Sequence, residues 1–237
     1  MMDTSPSTAP NRRTPAGVAR SLRRGSRRSA LVAIPLVAAG LLGAVALPAG
    51  AAAAGQRATA GHVAPGSLTC RGEGIDPAAK LRHRTETFIK APLSTVWKLH
   101  TDVEGWPSWQ GAVTGMRRLD PGPLRDGSRF RWTTPAPATP STPATTLVIT
   151  STVQQIKQNR CVRWTGPAIG EGLRIDRGVH VWNFVKVTGG VVVRTEESWT
   201  GDQIEADPDT AIRYLAPGLD AWLADLKTAA EARSGRH

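Results

Sequence analysis

The sequence predicts an α+β fold in which a seven-stranded antiparallel sheet curves around a long C-terminal helix. Between residues 115 and 201, polar and apolar residues alternate in six short segments separated by turn residues, which is typical of antiparallel strands. A seventh segment of this kind, residues 81–90, precedes them. Near the C-terminus apolar residues recur instead at helical spacing, at Ile212, Leu215, Leu219, Trp222, Leu223, Leu226 and Ala230.

Two short helices are predicted between the first strand and the second. Pro92 suits the first turn of a helix, where its missing N–H costs nothing. One face of this helix carries Leu93, Val96, Trp97, His100 and Val103. Residues 104–107 end it, and Pro107 starts a second short helix that carries Trp109.

The other strands are predicted over residues 115–120, 127–134, 146–157, 160–166, 178–187 and 191–201. Short connections favour a meander, with one of the turns at residues 166–172. Pro217 and Gly218 should kink or restart the final helix. This helix is the only long apolar stripe that can cover the concave face of the sheet. A cavity is therefore expected wherever the two do not interdigitate.

The first 54 residues have the pattern of an export signal. Seven Arg and one Asp precede the uncharged residues 30–47, and a small-residue tract offers a cleavage site after Ala54. Residues 26–31 approximate a twin-arginine signal. An uncleaved anchor is the alternative, since the uncharged run is close to the shortest that spans a bilayer. In either case we expect the folded part outside the cytoplasm, and we expect membrane contact only through this segment, if it stays uncleaved.

Residues 55–80 are rich in Gly, Ala and Pro and predict a flexible linker before a domain at residues 81–233. The chain has 30 Lys and Arg against 19 Asp and Glu, but only 23 against 18 remain after the leader. No basic run interleaved with aromatic residues follows residue 60, so we expect no nucleic-acid partner. Cys70 and Cys161 either form a disulfide in an oxidising compartment or remain separate thiols, and the sequence leaves both open.

Three stretches carry a family pattern: "APLSTVW", "TDVEGWPSW" and "GSRFRW", between residues 89 and 132. They resemble the START-like SRPBCC superfamily in its polyketide cyclase/dehydrase branch. The last hairpin and final helix are also similar, so the resemblance spans residues 81–233. It implies a helix-grip fold with a deep apolar cavity between sheet and helix. It further implies binding of lipids, sterols, polyketides or other hydrophobic molecules, with cyclisation or dehydration in some members.

Two features depart from this family. Residues 133–146 form a Pro/Thr-rich insertion where a short hairpin is expected. This loop is interpreted as a lid, an O-glycosylated surface loop or a slack insertion without a role. The export signal and linker are unusual for a cytoplasmic biosynthetic cyclase, which lowers the expectation of a role inside a polyketide pathway.

Aromatic residues are the main candidates for ligand contact. Strand alternation places Phe130 beside Trp132, and Phe184 and His180 beside Trp182. If these faces point inward, they form an aromatic wall for an apolar ligand. The candidate ligand-binding residues are Trp106, Trp109, Phe130, Trp132, Trp164, Trp182, Phe184 and Leu219. Ordinary core packing is the alternative for each tryptophan, and Trp97 is expected to anchor the first helix to the sheet.

His180 and Glu197 are the candidate acid/base residues of a cyclase or dehydratase. Glu196 and Glu197 are adjacent on one strand, so only one of them can line a cavity. A hydrogen-bonded structural histidine is the alternative for His180. Arg131 is a weaker candidate, because it alternates away from Phe130 and Trp132.

The sequence favours an exported protein that binds or carries a small hydrophobic molecule, lipid or polyketide-like. The alternatives are a cyclase or dehydratase acting in the same cavity, and a surface stress protein that works through protein contacts. The sequence has no metal-ligand spacing, nucleophile motif or phosphate loop. We therefore expect no metal and no cofactor, and we expect a monomer.

Overall fold

The structure is a computed structural model that describes residues 66–235, so the predicted export signal and residues 55–65 of the linker lie outside the described residues. Its strands are β1 Leu81–Ile89, β2 Gly115–Arg118, β3 Arg129–Ala136, β4 Thr145–Lys157, β5 Cys161–Gly170, β6 Leu173–Val187 and β7 Gly190–Thr200. Its helices are α1 Leu93–Thr101, the 3₁₀ helix η1 Val103–Ser108, α2 Asp202–Glu205 and α3 Pro208–Ser234.

All seven strands form one antiparallel sheet in the order β1-β7-β6-β5-β4-β3-β2. The chain is thus a meander from β2 to β7, and β1 pairs with the last strand, as the predicted fold requires. Register shifts near Val153 on β4 and Gly166 on β5 bend the sheet. A Cβ atom at Gly166 would lie 2.1 Å from the Thr150 carbonyl oxygen, so only glycine allows the two strands to approach there.

Strand β5 is longer than predicted. Residues 167–170 were expected in a turn, but they continue the strand by pairing with both β4 and β6. Cross-strand pairing on both sides outweighs the weak strand preference of Pro167 and Gly170. The turn is consequently only two residues long, Glu171 and Gly172.

Two short helices follow β1 as predicted, and the first of them, α1, lies where the sequence predicts it. Trp97 on α1 packs edge-on against Phe184 at a centroid distance of 5.2 Å, which confirms that it anchors this helix to the sheet. The prediction that Pro107 starts the second helix is wrong. Pro107 lies inside η1, where the following N–H groups of Trp109 and Gln110 both bond to the Trp106 carbonyl.

The final helix runs without a break from Pro208 to Ser234, so the predicted restart at Pro217 does not occur. Pro217 lies on an exposed side of the helix. Its ring therefore meets no core residue, and the cost is the hydrogen bond that its missing N–H removes. The helix begins at an Asp207 cap whose side chain accepts from the Thr210 N–H.

The space between the sheet and α3 is filled at one end and open at the other. The filled end, here called the aromatic core, joins α1, η1 and the second half of α3 around Trp106, Trp182, Phe184 and Leu226. A second apolar cluster surrounds Ile175, Ile204 and Ala211 near the first half of α3. The candidate site lies between these two clusters.

The prediction of a flexible linker is wrong for residues 66–80, here called the N-terminal strap. Cys70 is bonded to Cys161 on β5, and Leu68 and Ile75 cover the buried side chain of Val181 on the outer face of the sheet. The Leu68 N–H also donates to the Glu196 carboxylate at 2.5 Å. Composition suggested flexibility, but a disulfide and buried apolar contacts fix this segment. The packed unit therefore begins before residue 81.

Within the part of the chain that the structure describes, no helix is long and apolar enough to cross a membrane.

Candidate ligand-binding site

A cavity of about 330 Å³ lies between the concave face of the sheet and the first half of α3. This volume is within the range of small-molecule sites. The sheet contributes Trp132, Trp164 and Ile175, and the helix contributes Leu215, Leu219 and Trp222. Apolar and aromatic side chains thus form most of the wall.

The Pro/Thr-rich insertion forms one side of the cavity. Strands β3 and β4 extend into it, leaving residues 137–144 as the loop. Pro137, Thr139 and Thr142 line the cavity, and the Thr139 hydroxyl hydrogen-bonds the Thr142 N–H and hydroxyl. Of the three interpretations left open by the sequence, this placement favours a covering element over a slack insertion.

The exposed lining residues mark the cavity mouth. Tyr214 on α3 is 39% exposed, and Gln203 and Asp207 before that helix are also exposed. The mouth therefore lies between the loop at residues 137–144 and the beginning of α3.

The structure divides the predicted aromatic wall into two layers. Trp132, Trp164 and Leu219 line the cavity, as do the acid/base candidates His180 and Glu197. The other five candidates do not line it and belong to the aromatic core or pack against it: Trp106, Trp109, Phe130, Trp182 and Phe184. These positions agree with the core-packing alternative that was stated for Trp106, Trp109 and Trp182, and Phe130 and Phe184 lie in the same core.

The inner layer supports the outer one through edge-to-face contacts. Trp106 is fully buried and meets Trp132 and Trp222 at centroid distances of 6.2 and 5.0 Å, with planes nearly perpendicular. Its indole N–H donates to the His100 carbonyl at 2.9 Å. Trp106 thus fixes two cavity-lining rings without touching the cavity, which partly answers why tryptophans cluster in this sequence.

His180 and Glu197 are cross-strand partners, and the structure brings their side chains together at the cavity surface. The register pairs them directly between β6 and β7, and His180 Nδ1 lies 3.5 Å from Glu197 Oε2. The other ring nitrogen, Nε2, is 2.7 Å from the Thr195 hydroxyl, which itself donates to the Val181 carbonyl. Since that hydroxyl uses its proton on the carbonyl, it accepts from the Nε2–H of His180.

His180 Nδ1 and Glu197 Oε2 face each other, so one proton can be held by either group. Burial raises the pKa of Glu197 to about 7, although a hydrogen bond from Trp199 Nε1 at 2.9 Å acts in the opposite direction. Burial lowers the pKa of His180 well below its usual value, and His100 nearby lowers it further. Below about pH 7 Glu197 is therefore protonated, and its carboxyl group can donate to His180 Nδ1.

Glu196 lies on the opposite face of the sheet, as strand alternation predicts. It accepts from the Leu68 N–H and from the Ser67 hydroxyl under the N-terminal strap. Arg131 also points away from the cavity and donates to the Thr150 hydroxyl. Of the two adjacent carboxyl groups, Glu196 and Glu197, that of Glu197 is therefore the one that a cavity ligand can reach.

Three important residues of the site were not singled out from the sequence. Trp222 was recognised only as part of the apolar stripe of the final helix, and Thr195 and Trp199 simply fall within the predicted strand at residues 191–201. Thr195 and Trp199 each lie two residues from Glu197, which places these three side chains on one face of the strand, and this spacing was the available signal. What the spacing could not give is the direction of their hydrogen bonds.

Among residues 66–235, no group of His, Cys, Asp and Glu side chains is arranged to hold a metal ion. The polar side chains that line the cavity include the His180–Glu197 pair and several hydroxyl groups of the wall.

Solved structures share this fold over about two thirds of the chain. A protein from Thermus thermophilus matches with a TM-score of 0.51 and 18% identity, covering 65% of this chain and 99% of its own. A Helicobacter pylori protein matches with a TM-score of 0.51 and 16% identity, covering 69% and 99%. A Nitrosospira multiformis protein matches with a TM-score of 0.50 and 16% identity, covering 65% of this chain and 99% of its own. At these identities the likeness concerns the fold, and it confirms the predicted helix-grip architecture.

No curated protein matches the sequence. The family model described as "Polyketide cyclase / dehydrase and lipid transport" matches residues 80–231, nearly the range over which the sequence resembles the SRPBCC superfamily. This confirms the resemblance, and the chain belongs to the polyketide cyclase/dehydrase and lipid transport family.

Proposed function

We propose that this protein binds a small, predominantly apolar molecule in the cavity between the sheet and α3. The observation that carries the proposal is the cavity itself, about 330 Å³ and walled by Trp132, Trp164, Leu219 and Trp222. A cavity of this volume with a mostly apolar wall is typical of a small-molecule site. The family description, which includes lipid transport, agrees with this function.

We further propose that the protein acts outside the cytoplasm as a carrier or store of its ligand. Residues 1–54 have the pattern of an export signal. The Cys70–Cys161 disulfide supports this location independently, because such bonds persist in oxidising compartments.

Native mass spectrometry of the protein, expressed as the full chain in an exporting host and purified without detergent, tests both parts. We expect an adduct of low mass on a chain whose N-terminus has been removed near Gly55. The neutral dye N-phenyl-1-naphthylamine should also bind and fluoresce.

Leu219→Trp, which fills the cavity, should weaken dye binding at least tenfold. Ala221→Trp is the matched control, since it adds the same ring to an exposed position of the same helix. Equal dye binding by both variants and the wild type would contradict a cavity ligand.

A cyclase or dehydratase acting on a polyketide-like substrate is the second candidate, favoured by the His180–Glu197 pair in the cavity wall. In a dehydration, the Glu197 carboxyl would leave Nδ1 of His180 and donate its proton to the departing hydroxyl group, and the freed Nδ1 would accept a proton from carbon. His180→Ala and Glu197→Gln would then abolish turnover while dye binding persists. Turnover that survives both substitutions would exclude this role for the pair.

A further inference from the structure

The charge of the cavity wall is one-sided. The chain has 30 Lys and Arg, yet none of them is among the described residues that line the cavity. Two carboxyl groups do line it, Glu197 in the sheet and Asp207 at the mouth. A ligand that carried a negative charge would therefore lose its hydration and find no cationic side chain in the wall.

His180 does not supply the missing positive charge. Its Nε2–H donates to the Thr195 hydroxyl, and its Nδ1 faces the Glu197 carboxyl. Both ring nitrogens are thus engaged within the protein, in a side chain that is 6% exposed. The ring remains neutral. Its Nδ1 can accept a hydrogen bond from Glu197, and its Nε2–H donates one to Thr195.

The N-terminus of α3 lies at the mouth and would ordinarily attract an anion through its free N–H groups. Here the protein provides its own anions. The Asp207 side chain accepts from the Thr210 N–H, and Asp209 occupies the first turn. The partial positive charge of the helix is therefore already compensated and offers little to a ligand carboxylate.

We infer that the ligand is an uncharged apolar molecule carrying a hydroxyl or carbonyl group, and that the cavity rejects carboxylate anions such as those of fatty acids. The inference rests on the proposed function and specifies its ligand class. The polar group of the ligand would meet the Glu197 carboxyl, a partly accessible polar side chain of the sheet wall, at 17% exposure.

Two probes with the same alkyl chain, 1-decanol and decanoate, test the inference on the full-length protein. Each is titrated at pH 8.5 against bound N-phenyl-1-naphthylamine, below its aggregation threshold. We expect decanol to displace the dye at a concentration at least tenfold lower than decanoate does. Decanoate binding as tight as that of decanol would overturn the inference and leave the proposed function intact.

Glu197→Gln removes one of the two carboxylates and keeps the shape of the site. It should narrow the difference between the two probes at least threefold, because the anion no longer meets a charge of its own sign. The cross-strand partners of Glu197 are His180 on β6 and His83 on β1. Glu197→Gln leaves both of these side chains in place.

Glu196→Gln is the matched control, since it removes the adjacent carboxylate on the outer face of the sheet. In this variant the difference between decanol and decanoate should persist. An unchanged difference in Glu197→Gln would assign the selectivity elsewhere and overturn the role of this side chain. Failure of both probes and of the dye to bind the wild type would instead refute the proposed function.

Discussion

Burial shifts the pKa values of Glu197 and His100 in opposite directions, in each case toward the uncharged form. The pKa of Glu197 is raised to about 7 because desolvation disfavours its carboxylate. The pKa of His100, which is fully buried among Trp164, Trp182 and Phe184, is lowered to about 3 because desolvation disfavours its imidazolium. Each shift links the stability of the fold to pH.

The stability contribution of Glu197 should fall as pH rises. Its carboxyl ionises near pH 4.5 in the unfolded chain and near pH 7 in the folded one. Between these values the folded state holds the additional proton, so each pH unit lowers the free energy of unfolding by about 1.4 kcal/mol. From pH 5 to pH 8 the wild type should lose about 3 kcal/mol relative to Glu197→Gln. Urea denaturation of both proteins at the two pH values measures this. A constant difference would show that Glu197 is not protonated in the folded state.

His100 should make the protein sensitive to acid. In the unfolded chain it takes up a proton below about pH 6.5, whereas the folded state refuses it down to about pH 3. Its contribution to stability is therefore present above pH 6.5 and is lost as the pH falls. Leucine is similar in volume to histidine and carries no ionisable group. As the pH falls from 7.5 to 4, the free energy of unfolding of His100→Leu should therefore rise by about 3 kcal/mol relative to that of the wild type.

Neither ring nitrogen of His100 finds a hydrogen-bond partner among the described residues, so the leucine should also be tolerated at pH 7.5. Denaturation of both proteins at the two pH values is the measurement. A gain of the same size at both would trace the effect to packing rather than to protonation.

At the scale of secondary-structure elements, the N-terminal strap is the main addition to the sheet and helix. It crosses the outer face of β5, β6 and β7, where the Asp76 N–H donates to the Ser198 hydroxyl and Arg163 donates to the Gly74 carbonyl. Leu68 and Ile75 bury the small apolar patch at Val181. The covalent link to Cys161 adds to these noncovalent contacts.

Removing the disulfide should lower the stability of the whole domain. Cys70 and Cys161 are 91 residues apart, and closing so long a loop restricts the unfolded chain by about 4 kcal/mol in the chain-entropy account. The double variant Cys70→Ala/Cys161→Ala should lose about this amount in urea denaturation, as should the wild type after treatment with a reductant. The variant itself should not respond to the reductant. A wild type equally stable when reduced would show that the noncovalent contacts suffice.

The strap also shows where prediction from sequence fails. Its Gly-, Ala- and Pro-rich composition has the local character of a linker, and only long-range contacts with Cys161, Glu196 and Val181 order it. By contrast, the strands and the final helix follow from periodicity, since burial of one face requires it. The pairing of His180 with Glu197 needed the register of β6 against β7, which alternation alone does not supply.

At the scale of the whole molecule, the sequence predicted the architecture well and the cavity surface less well. Alternation groups side chains by face, and the faces that it grouped at Trp132 and at Trp182 do both point inward. It cannot say whether an inward side chain meets a cavity or another ring, because that depends on how α3 crosses the sheet. Trp182 meets the aromatic core and Trp164 meets the cavity, although both point to the same side.

The division of the interior into a filled end and an open end has a consequence for how such a protein can change over evolutionary time. The filled end holds Trp106, Trp182 and Leu226, which secure the fold whatever the ligand is. The open end is lined by Ala211, Leu215 and Leu219 on the first half of α3, together with the loop at residues 137–144. Substitutions there alter the shape of the site without disturbing the rings that hold the helix to the sheet. Ligand preference can therefore drift while the scaffold is conserved, and one architecture can serve many different molecules.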